Sequence, residues 1–520
     1  MTRSIVIGGG ISGLATAALL AHEGHQVTLF EKNDEVGGRA GTWERDGFRF
    51  DTGPSWYLMP EVFDHFYRML GTTAAEQLEL LQLDPGYRVY GEGHTDPLDI
   101  HADVEENLET FESIEKGSAV KLAKYLDSAR EIYELAKQRF LYSTFQRLGP
   151  VFGGEVTAQS ARLLRLLVEP LDSLTRRTVR DTRLRQVLGY PAVFLGASPK
   201  TAPSMYSLMS HLDLVDGVLY PIGGFTRVIE SIADLARAEG VEIRTGVTVR
   251  KIVVENGAAT GVEYTTGDGK IGFADADVVV SAADLHFTET RLLEREEQRT
   301  YPEEYWEKRV AGPSALLIML GVSGELSQLE HHTLFFAKDW NEGFTAIFGE
   351  QSRVPETPSV YVCKPSGVDA SVAPDGTENL FVLVPLPADP ALGRGGIDGA
   401  GDASIEALAD RVITQISDWA GIPDLAERVV VRRTIGPADF VNDLNAWKGT
   451  ALGPAHTLRQ SAFFRAGNVS KKVTGLFYTG SSTIPGIGLP MCLISAELVL
   501  KRLRGDTTAG PLPESLRVAR

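Results

Sequence analysis

The sequence predicts an α/β protein that begins with a dinucleotide-binding unit. Three observations favour this fold class. A short apolar strand, a glycine-rich turn and an apolar helix come first, and a second strand then ends on an acidic residue. Further along the chain, a stretch of helical periodicity is followed by several short β-branched segments. At 520 residues the chain is long enough for about three domain-sized units.

The glycine-rich turn carries the pattern G-x-G-x-x-G, formed by Gly8, Gly10 and Gly13. Glycine is required where the turn is tight, where the backbone must approach a pyrophosphate, and where the helix packs closely against the strand. The helix that begins near Ile11 directs its free N–H groups at the phosphates, and its dipole favours their negative charge. The turn therefore predicts that a dinucleotide binds here.

An acidic residue and a second glycine pair follow this turn. Glu31 ends the second strand 18 residues after Gly13, the distance at which a carboxylate binds ribose hydroxyls. In "EVGGRAGT", Gly37, Gly38 and Arg39 come directly after that strand. Two glycines let the backbone pass close to a ligand, and an arginine can neutralise a diphosphate. NAD-binding units do not usually need this second element.

The combined pattern resembles the flavoprotein family that contains amine oxidases, phytoene desaturases and Rab escort proteins. The resemblance implies FAD, not NAD, as the ligand. It also implies a Rossmann-like FAD-binding domain of the glutathione reductase/amine oxidase type, in which the position of Val249 supplies a backbone contact to the adenine. The cofactor-binding residues that we expect are Gly8, Gly10, Ile11, Ser12, Gly13, Glu31, Lys32, Gly38, Arg39, Val249, Gly480, Gly486, Gly488, Leu489, Pro490 and Met491.

The middle of the chain divides into a helical part and a strand-rich part. Helical periodicity dominates from Glu61 to Leu188, with few strand signals. After "YPIGGF" come "VEIRTGVTVRKIVVENG", "ATGVEYTTGDG" and "ADVVVSAAD", which predict short strands separated by turns. The segments "ALLIMLGV", "HTLFFA", "SVYVCKPS", "NLFVLVPL" and "VVVRRTIGP" predict a separate sheet, with a helix over Asp402–Ala420 before the last of them.

The resemblance implies that these pieces assemble into discontinuous domains. We expect an FAD-binding domain from residues 1–72, 218–295 and 462–506, and a substrate-binding domain with a mixed sheet from residues 73–114, 190–217 and 296–461. Residues 115–189 are expected to form a helical cap that faces a membrane, and residues 507–520 a flexible tail.

The C-terminal stretch "GLFYTGSSTIPGIGLPMCLISAELVLKRLRGD" predicts a strand, a Gly/Pro loop and a helix. Gly486 and Gly488 lie in the loop, and the helix that begins at Leu489 has Pro490 in its first turn, where proline is tolerated. The N-terminus of such a helix can stabilise negative charge on a reduced flavin ring. The stretch therefore predicts a contact to the flavin.

Several segments narrow the resemblance to the bacterial-type phytoene desaturases. "TIPGIGLPMCLISAELV" is similar to their C-terminal flavin signature, and "YPIGGFTRVIESI", "TAPSMYSLMSHL" and "DTRLRQ" also resemble that family. The resemblance extends from about Ser4 to Leu503. One departure is that Ser481 and Ser482 follow Gly480, where many flavoproteins of the wider group carry an acidic residue. This departure weakens inferences drawn from amine oxidases and leaves the desaturase interpretation intact.

The resemblance implies removal of hydrogen from a long, uncharged polyene such as phytoene, with hydride passing to the flavin and a proton lost alongside. Such a substrate offers no charge or hydrogen bond, so an apolar tunnel must position it by shape. The apolar segments Pro191–Leu195 and Leu334–Phe348 are compatible with a tunnel wall or with ordinary core.

Candidate catalytic residues are fewer. Asp181 and Arg185, four residues apart on one helical face, are candidates for charge near the reacting carbons, with a solvated ion pair as the alternative. Adjacent residues on a strand face opposite sides, so His331 and His332 are expected to be surface residues, and we predict no metal site. The cysteines Cys363 and Cys492 are expected to be small buried apolar residues in a reducing cytoplasm.

The net charge of −18 argues against nucleic acid as the main partner. Between Lys137 and Arg185, however, ten basic residues face four acidic ones, and aromatic and leucine residues interleave with them. This composition is typical of an interfacial helix, so we expect docking on the cytoplasmic membrane, where a carotene precursor dissolves. A core-facing helix pair with a solvated basic face is the alternative. Arg162, Arg165, Arg176 and Arg177 are the expected membrane contacts.

Other functions stay open at this stage. The alternatives are a carotenoid ketolase or isomerase, a desaturase of C30 substrates, an amine oxidase, and a non-catalytic escort protein. Oxygen or a quinone is the expected electron acceptor, and a homo-oligomer is compatible with the sequence.

Overall fold

The structure is a computed structural model that describes residues 1–147, 160–194, 196–514 and 516. A parallel sheet of five strands forms the centre of its nucleotide-binding half. The strands lie in the order Leu476–Tyr478, Val278–Ser281, Arg3–Ile7, Gln26–Phe30 and Glu242–Arg244. The sheet therefore gathers strands from three separate stretches of the chain, while the domain boundaries themselves stay a prediction.

Three helices surround this sheet. Helix Ile11–His22 contacts both Gly224–Ala238 and Leu489–Arg504. Its residues are buried from Ile11 to Ala21, because its many alanines and its glycine allow the neighbouring helices to approach closely. The first helix of the chain is thus held rigidly, and its N-terminus stays fixed at the end of the central strands.

A second sheet of seven strands forms the other half of the molecule. Its order is Val429–Ile435, Ser314–Ser323, Thr377–Leu386, Val360–Cys363, His332–Phe336, Tyr87–Gly91 and Leu98–Ile100. Neighbours pair antiparallel, except that His332–Phe336 runs parallel to Tyr87–Gly91. The helix Ala403–Ala420 packs in the core beneath one face, and the other face packs in a second core with residues of the helices Ser118–Ala136 and Thr182–Gly189. Burial on both faces explains the uninterrupted apolar runs of these strands.

Smaller sheets connect the two halves. Val247–Glu255, Ala258–Thr266 and Ile271–Asp275 form an antiparallel meander. Two further pairs are Thr42–Arg45 with Phe48–Asp51 and Leu80–Gln82 with Leu219–Pro221. The strands expected from "VEIRTGVTVRKIVVENG" to "VVVRRTIGP" are therefore all present.

The remaining helices lie mostly in the first half of the chain. They are Pro60–Met69, Ala74–Gln77, Val104–Ile114, Ser118–Ala136, Ser160–Val168, Leu171–Thr178, Thr182–Gly189, Pro191–Phe194, Met209–Leu214, Leu285–Phe287, Glu303–Glu307, Trp340–Phe348 and Pro437–Leu444. None of the described helices combines the length and the apolar character that crossing a bilayer requires.

The stretch from Glu61 to Leu188, where helical periodicity dominates and few strands are expected, contains strands in one region. Residues 80–100 contain three strands, two of which extend the seven-stranded sheet. These strands are only three to five residues long, too short to establish a period-two pattern of their own. Tyr87–Gly91 and Leu98–Ile100 form because the edge of the larger sheet offers them hydrogen-bond partners, and Leu80–Gln82 pairs with Leu219–Pro221.

The flexible tail is a wrong expectation for residues 507–514. Leu512 is 4% exposed, and its N–H donates to Glu497 Oε1 at 2.6 Å. The ammonium of the buried Lys501 donates to the carbonyl oxygens of Thr508 and Gly510. The chain end is ordered because it satisfies buried charged groups on the last helix. Residues 515 and 517–520 lie outside the described residues.

Candidate active site

A cavity of approximately 970 Å³ lies between the carboxyl ends of the parallel strands and the seven-stranded sheet. Ligands bind at this end of the strands in open α/β sheets. Fourteen of the sixteen residues predicted to bind the cofactor line the cavity, and the exceptions are Gly13 and Gly486. The sequence pattern therefore identified one contiguous region of the molecule.

The glycines of the first turn are required by close backbone contacts. A Cβ atom at Gly13 would lie 2.0 Å from the carbonyl oxygen of Gly8, which itself has φ +102°. Gly38 has φ +60°, and its Cβ would lie 3.2 Å from the Cα of Gly10. Gly13 thus does not line the cavity, and its lack of a side chain lets the helix pack closely against the turn. The helix residues Ile11 and Ser12 line the cavity, where their N–H groups have no intrahelical acceptor.

Glu31 is fixed at the edge of the cavity by backbone donors. Its Oε2 accepts the N–H of Gly9 at 2.6 Å, and its Oε1 accepts the N–H of Asn33 at 2.9 Å. The remaining lone pairs can accept hydrogen bonds from ribose hydroxyls. Beside it, Lys32 Nζ donates to the carbonyl oxygen of Asn442 at 2.7 Å. Burial lowers the pKa of Lys32.

Arg39 is a cation on the cavity wall whose guanidinium is only partly satisfied by the protein. Its Nε donates to the carbonyl oxygen of Ala451 at 2.8 Å, whereas its buried Nη2 has no hydrogen-bond partner in the protein. Burial lowers the pKa of Arg39, and the nearby Asp284 opposes that shift. A buried donor without a partner is costly. The Nη2 group therefore fits a diphosphate ligand, which would satisfy it.

The strand that begins at Val247 borders the same end of the cavity. The N–H of Val247 donates to the carbonyl oxygen of Glu31 at 2.8 Å, and Val247, Thr248 and Val249 all line the cavity. The Val249 side chain packs into the apolar core. This arrangement agrees with the predicted contact of the Val249 backbone to an adenine.

The C-terminal loop forms another part of the cavity wall. Gly486 has φ +144°, and its Cβ would lie 2.3 Å from the ring of His456. His456 Nε2 accepts the N–H of Ile487 at 3.2 Å, and burial lowers the pKa of His456, which keeps the ring neutral. Gly486 is therefore required for the packing of the loop. The helix that follows presents Leu489, Pro490 and Met491 to the cavity, next to Gly480 and Gly488.

The rest of the cavity wall is mainly apolar and aromatic. It comes from the seven-stranded sheet, from the helix Trp340–Phe348 and from the helical segment before residue 194. Its members include Phe140, Leu167, Val193, Leu317, Leu334, Phe336, Phe344, Ile347, Phe348, Leu383 and Phe440. The expected tunnel contribution of Leu334–Phe348 is thus present. For Pro191–Leu195, Val193 lines the cavity and Leu195 lies outside the described residues.

The structure places Asp181 and Arg185 away from the cavity lining. Asp181 caps the helix Thr182–Gly189, where its Oδ1 accepts the N–H of Arg183 at 2.9 Å. Arg185 Nη2 donates to Thr182 Oγ1 at 2.9 Å. These contacts give Asp181 a helix-capping function. The two residues stay catalytic candidates from the sequence alone, without support from this geometry.

The expectation that His331 and His332 are surface residues is wrong. They are 4% and 0% exposed, because the strand His332–Phe336 lies inside the sheet and not at its edge. Their ring centroids are 4.5 Å apart. Together with Cys363 they bring potential metal-ligand atoms within 4.8 Å of one another. Cys363 and Cys492 are buried and unpaired, as expected.

Sequence reasoning missed several buried polar residues around the cavity. Asp213 accepts hydrogen bonds from Tyr87 and Tyr190, the second of which lines the cavity. Burial raises the pKa of Asp213 to about 7, although the two hydroxyl groups oppose this shift. Tyr206 hydrogen-bonds to His456 beneath the C-terminal loop. These residues lie far apart in the chain. Among the segments that resemble the desaturases, only the run "SMYSLM", which contains Tyr206, includes one of them.

The four arginines of the basic segment that are expected to contact a membrane form ion pairs. Arg162 pairs with Glu131, Arg165 and Arg177 pair with Glu169, and Arg176 pairs with Asp172. Part of the segment, including Glu155 and the other residues from 148 to 159, lies outside the described residues. Among the described residues, these pairs reduce the positive charge available to a lipid surface.

Comparisons with known proteins agree with this geometry. The family model described as "Flavin containing amine oxidoreductase" matches residues 11–499. A carotenoid 3,4-desaturase of Haloarcula japonica is 40% identical, covering 96% of this chain and 98% of the relative. A zeta-carotene-forming phytoene desaturase of Myxococcus xanthus is 32% identical, covering 96% and 93%. A 4,4'-diapophytoene desaturase of Staphylococcus aureus is 30% identical, covering 97% and 99%.

Solved structures show the same fold at low sequence identity. An oxidoreductase from Methanosarcina mazei superposes with a TM-score of 0.63 at 18% identity, covering 96% of this chain and 100% of the other. Putrescine oxidase bound to putrescine gives a TM-score of 0.59 at 14% identity, covering 97% and 99%. The predicted α/β fold of the amine oxidase type and the predicted flavin cofactor are both confirmed, whereas the membrane-facing cap stays a prediction.

Proposed function

The chain belongs to the family of flavin containing amine oxidoreductases, and we propose that it desaturates a linear carotene precursor such as phytoene. The product would be lycopene or a partly desaturated intermediate. Relatives named as carotenoid desaturases, at 30–40% identity over nearly the whole chain, support this substrate class.

The observation that carries the proposal is the continuity of the cavity. One end is bounded by Glu31 and Arg39, which suit a dinucleotide, and the other end by side chains such as Leu334, Phe336 and Phe344. A cofactor held at the first end would therefore share a space with an apolar ligand at the second. An uncharged polyene fits such a wall because it requires no polar partner.

The chain's own residues would act mainly by position. Desaturation removes two hydrogens from neighbouring carbons, and a bound flavin supplies the hydride acceptor. The apolar walls hold the polyene by shape and exclude water, so proximity supplies much of the rate enhancement. At the other end, the cation of Arg39 and the N-terminus of the helix Leu489–Arg504 favour negative charge. No charged group is needed to recognise the substrate.

Several related activities are the alternatives. A relative named as a carotenoid 3,4-desaturase favours desaturation of a carotenoid at its 3,4 position, and one named as a diapophytoene desaturase favours a C30 substrate. A ketolase, an isomerase and an amine oxidase would use the same cofactor site. A non-catalytic escort protein would be free to lose Glu31 and Arg39, and this chain keeps both.

The test is incubation of the FAD-loaded protein with phytoene in liposomes, with oxygen or a quinone present, followed by chromatography of the pigments. We expect more unsaturated products from the wild type, and a reduced yield from Arg39→Gln, which weakens cofactor binding. Arg237→Gln, an exposed arginine on the helix Gly224–Ala238, is the matched control and should behave as the wild type. Unchanged phytoene alongside turnover of a C30 or partly desaturated precursor would replace the proposed substrate.

We also propose that the protein collects its substrate from a membrane through an apolar rim and not through its arginines. Leu458, Phe463 and Phe464 are 41%, 48% and 50% exposed, and all three line the cavity. Exposed apolar side chains around a cavity entrance are typical of a lipid-contacting surface. The substrate could then pass from the bilayer into the cavity without crossing water.

Flotation with liposomes tests this rim. The double variant Phe463→Ser, Phe464→Ser should lose most of its binding, because two aromatic rings no longer enter the lipid, while bound flavin is unchanged. Phe273→Ser is the matched control, since Phe273 is 55% exposed on the strand Ile271–Asp275 and does not line the cavity. Equal flotation of the double variant and the wild type would refute the rim as the contact.

A further inference from the structure

A hydrogen-bonded chain leads from the cavity wall into the core of the seven-stranded sheet. Ser55 Oγ and the Tyr361 hydroxyl are 2.6 Å apart, and the Tyr361 hydroxyl lies 2.7 Å from His332 Nδ1. Ser55 and Tyr361 line the cavity, whereas His332 is fully buried behind them. The three groups therefore connect the proposed substrate space to a basic nitrogen that solvent does not reach.

The buried end of this chain is held in place and is uncharged. The His332 ring stacks on the Trp56 indole at a centroid distance of 4.2 Å and an interplanar angle of 8°. Burial and the neighbouring His331 lower the pKa of His332 well below its usual value. Burial lowers the pKa of His331 to about 3. The pair is thus neutral at physiological pH, and in the tautomer that carries its hydrogen on Nε2, His332 can accept a proton from Tyr361 at Nδ1.

The cluster of His331, His332 and Cys363 suits a proton acceptor better than a metal site. Cysteine binds a metal as its thiolate, and burial raises the pKa of Cys363 well above its usual value, which favours the neutral thiol in the metal-free protein. The charge that acts on His331 most strongly is that of the cation Lys364. No negative charge on the cluster itself would offset a metal ion.

We propose that Tyr361 is the catalytic residue that takes the proton released in desaturation, with His332 as the positioning residue behind it. This inference rests on the proposed function, because an oxidation that releases no proton would not need the chain. Other groups suit the task less well. The carboxylates of Glu31, Asp284 and Asp339 also line the cavity, but they accept backbone N–H groups. The carboxylate of Asp443 interacts with the Lys32 cation next to Glu31, at the dinucleotide end. Both ring nitrogens of His456 are already hydrogen-bonded, to Tyr206 and to the N–H of Ile487.

A bound flavin would supply the acceptor for the hydrogen that leaves the substrate with its electron pair, as hydride. The neighbouring carbon loses a proton to the oxygen of Tyr361, and the electrons of that C–H bond form the new double bond. As the oxygen gains this proton, the original hydroxyl proton of Tyr361 passes to Nδ1 of His332. The proton returns along the same chain to water when the product leaves the cavity.

A weak base is sufficient for this proton transfer. Loss of hydride from a polyene leaves a carbocation, and a C–H bond next to a cationic carbon is strongly acidic. A general base contributes when it lies within hydrogen-bond reach of the proton that it accepts. A neutral imidazole in the core, reached through a phenol, therefore has enough basicity while staying uncharged between turnovers.

The test compares Tyr361→Phe and His332→Gln with the wild type, using FAD-loaded protein and phytoene in liposomes. A missing general base costs roughly 10²–10⁴-fold, so we expect the rate of a single turnover to fall by at least roughly a hundredfold. Deuterium placed at the carbon that loses the proton should slow the variants more than the wild type. Bound FAD should be unchanged. Tyr220→Phe is the matched control, because the Tyr220 ring lies 4.6 Å from His331 but its hydroxyl bonds to Asp369 and it does not line the cavity.

A readout without turnover is the ¹⁵N resonance of the His332 ring in the full-length protein. We expect an unprotonated Nδ1 that accepts a hydrogen bond, a shift of this resonance in Tyr361→Phe, and no shift in Tyr220→Phe. A wild type that leaves every carotene precursor unchanged would overturn the proposed function and the relay with it. A wild type that turns over, together with a Tyr361→Phe variant of equal rate and equal isotope effect, would overturn the relay alone.

Discussion

Asp213 provides a quantitative prediction for the dependence of stability on pH. It is 3% exposed, and its Oδ2 accepts hydrogen bonds from Tyr190 at 2.8 Å and from Tyr87 at 3.1 Å. Its Oδ1 has no hydrogen-bond partner. Burial raises the pKa of Asp213 from 3.8 to about 7. The carboxyl group is therefore protonated in the folded protein at pH values where it is ionised in the unfolded chain.

The difference between the folded and the unfolded pKa of Asp213 determines how the free energy of unfolding changes with pH. A carboxyl group with a higher pKa in the folded state contributes stability that is complete below the unfolded pKa and is lost as pH rises toward the folded pKa. Each unit of pH in that interval changes the free energy of unfolding by about 1.4 kcal/mol. For Asp213 the interval extends from about pH 4 to about pH 7. The variant Asp213→Asn cannot ionise and should not show this loss.

The assay is chemical denaturation of the wild type and Asp213→Asn at several pH values. Between about pH 5 and about pH 8, the free energy of unfolding of the variant should rise by about 3 kcal/mol relative to the wild type. Asp369→Asn is the matched control, since Asp369 also accepts a tyrosine hydroxyl. Although burial opposes it, hydrogen bonds from Ser371 and Gly223 hold the pKa of Asp369 below its usual value, so its difference from the wild type should be constant. A constant difference for Asp213→Asn would refute the reasoning.

Three further changes have expected outcomes. Arg39→Gln removes a cation whose Nη2 lacks a protein partner, so the Kd for FAD measured by titration should rise roughly tenfold to a hundredfold; an unchanged Kd would contradict the diphosphate contact. Gly13→Ala places a Cβ 2.0 Å from the oxygen of Gly8, so purified protein should contain little flavin by absorbance, and normal flavin content would show that the turn can adjust. Asp181→Ala removes a helix cap, so denaturation should show a free energy of unfolding that is lower by about 1 kcal/mol, while bound flavin and turnover are retained. A loss of turnover without a loss of stability would instead support Asp181 as a catalytic residue.

The parts of the structure that the sequence predicted depend on local chemistry. The turn with Gly8, Gly10 and Gly13 needs residues without a Cβ, and that requirement is visible in the sequence before any long-range contact is known. Glu31 and Arg39 follow at fixed distances from this turn. Long apolar strands such as Ser314–Ser323 were predictable because both of their faces are buried.

The parts that the sequence did not predict depend on distant pairing. His332 is buried because its strand pairs with Tyr87–Gly91, more than 240 residues earlier in the chain. The chain of Ser55, Tyr361 and His332 likewise joins three distant segments, and no local pattern brings them together. For Asp181 the sequence suggested a catalytic residue, whereas the structure shows a helix cap. An aspartate at the start of a helix cannot be distinguished from a charged site residue until its capping contact is known.

The most direct test of the account is an anaerobic experiment on the FAD-loaded protein mixed with phytoene in liposomes. If the cofactor and the polyene share one cavity, the visible absorption band of the oxidised flavin should bleach, with one new carbon–carbon double bond formed for each flavin reduced. A flavin that stays oxidised with phytoene and with every other linear carotene precursor, in protein that retains its bound FAD, would contradict the account.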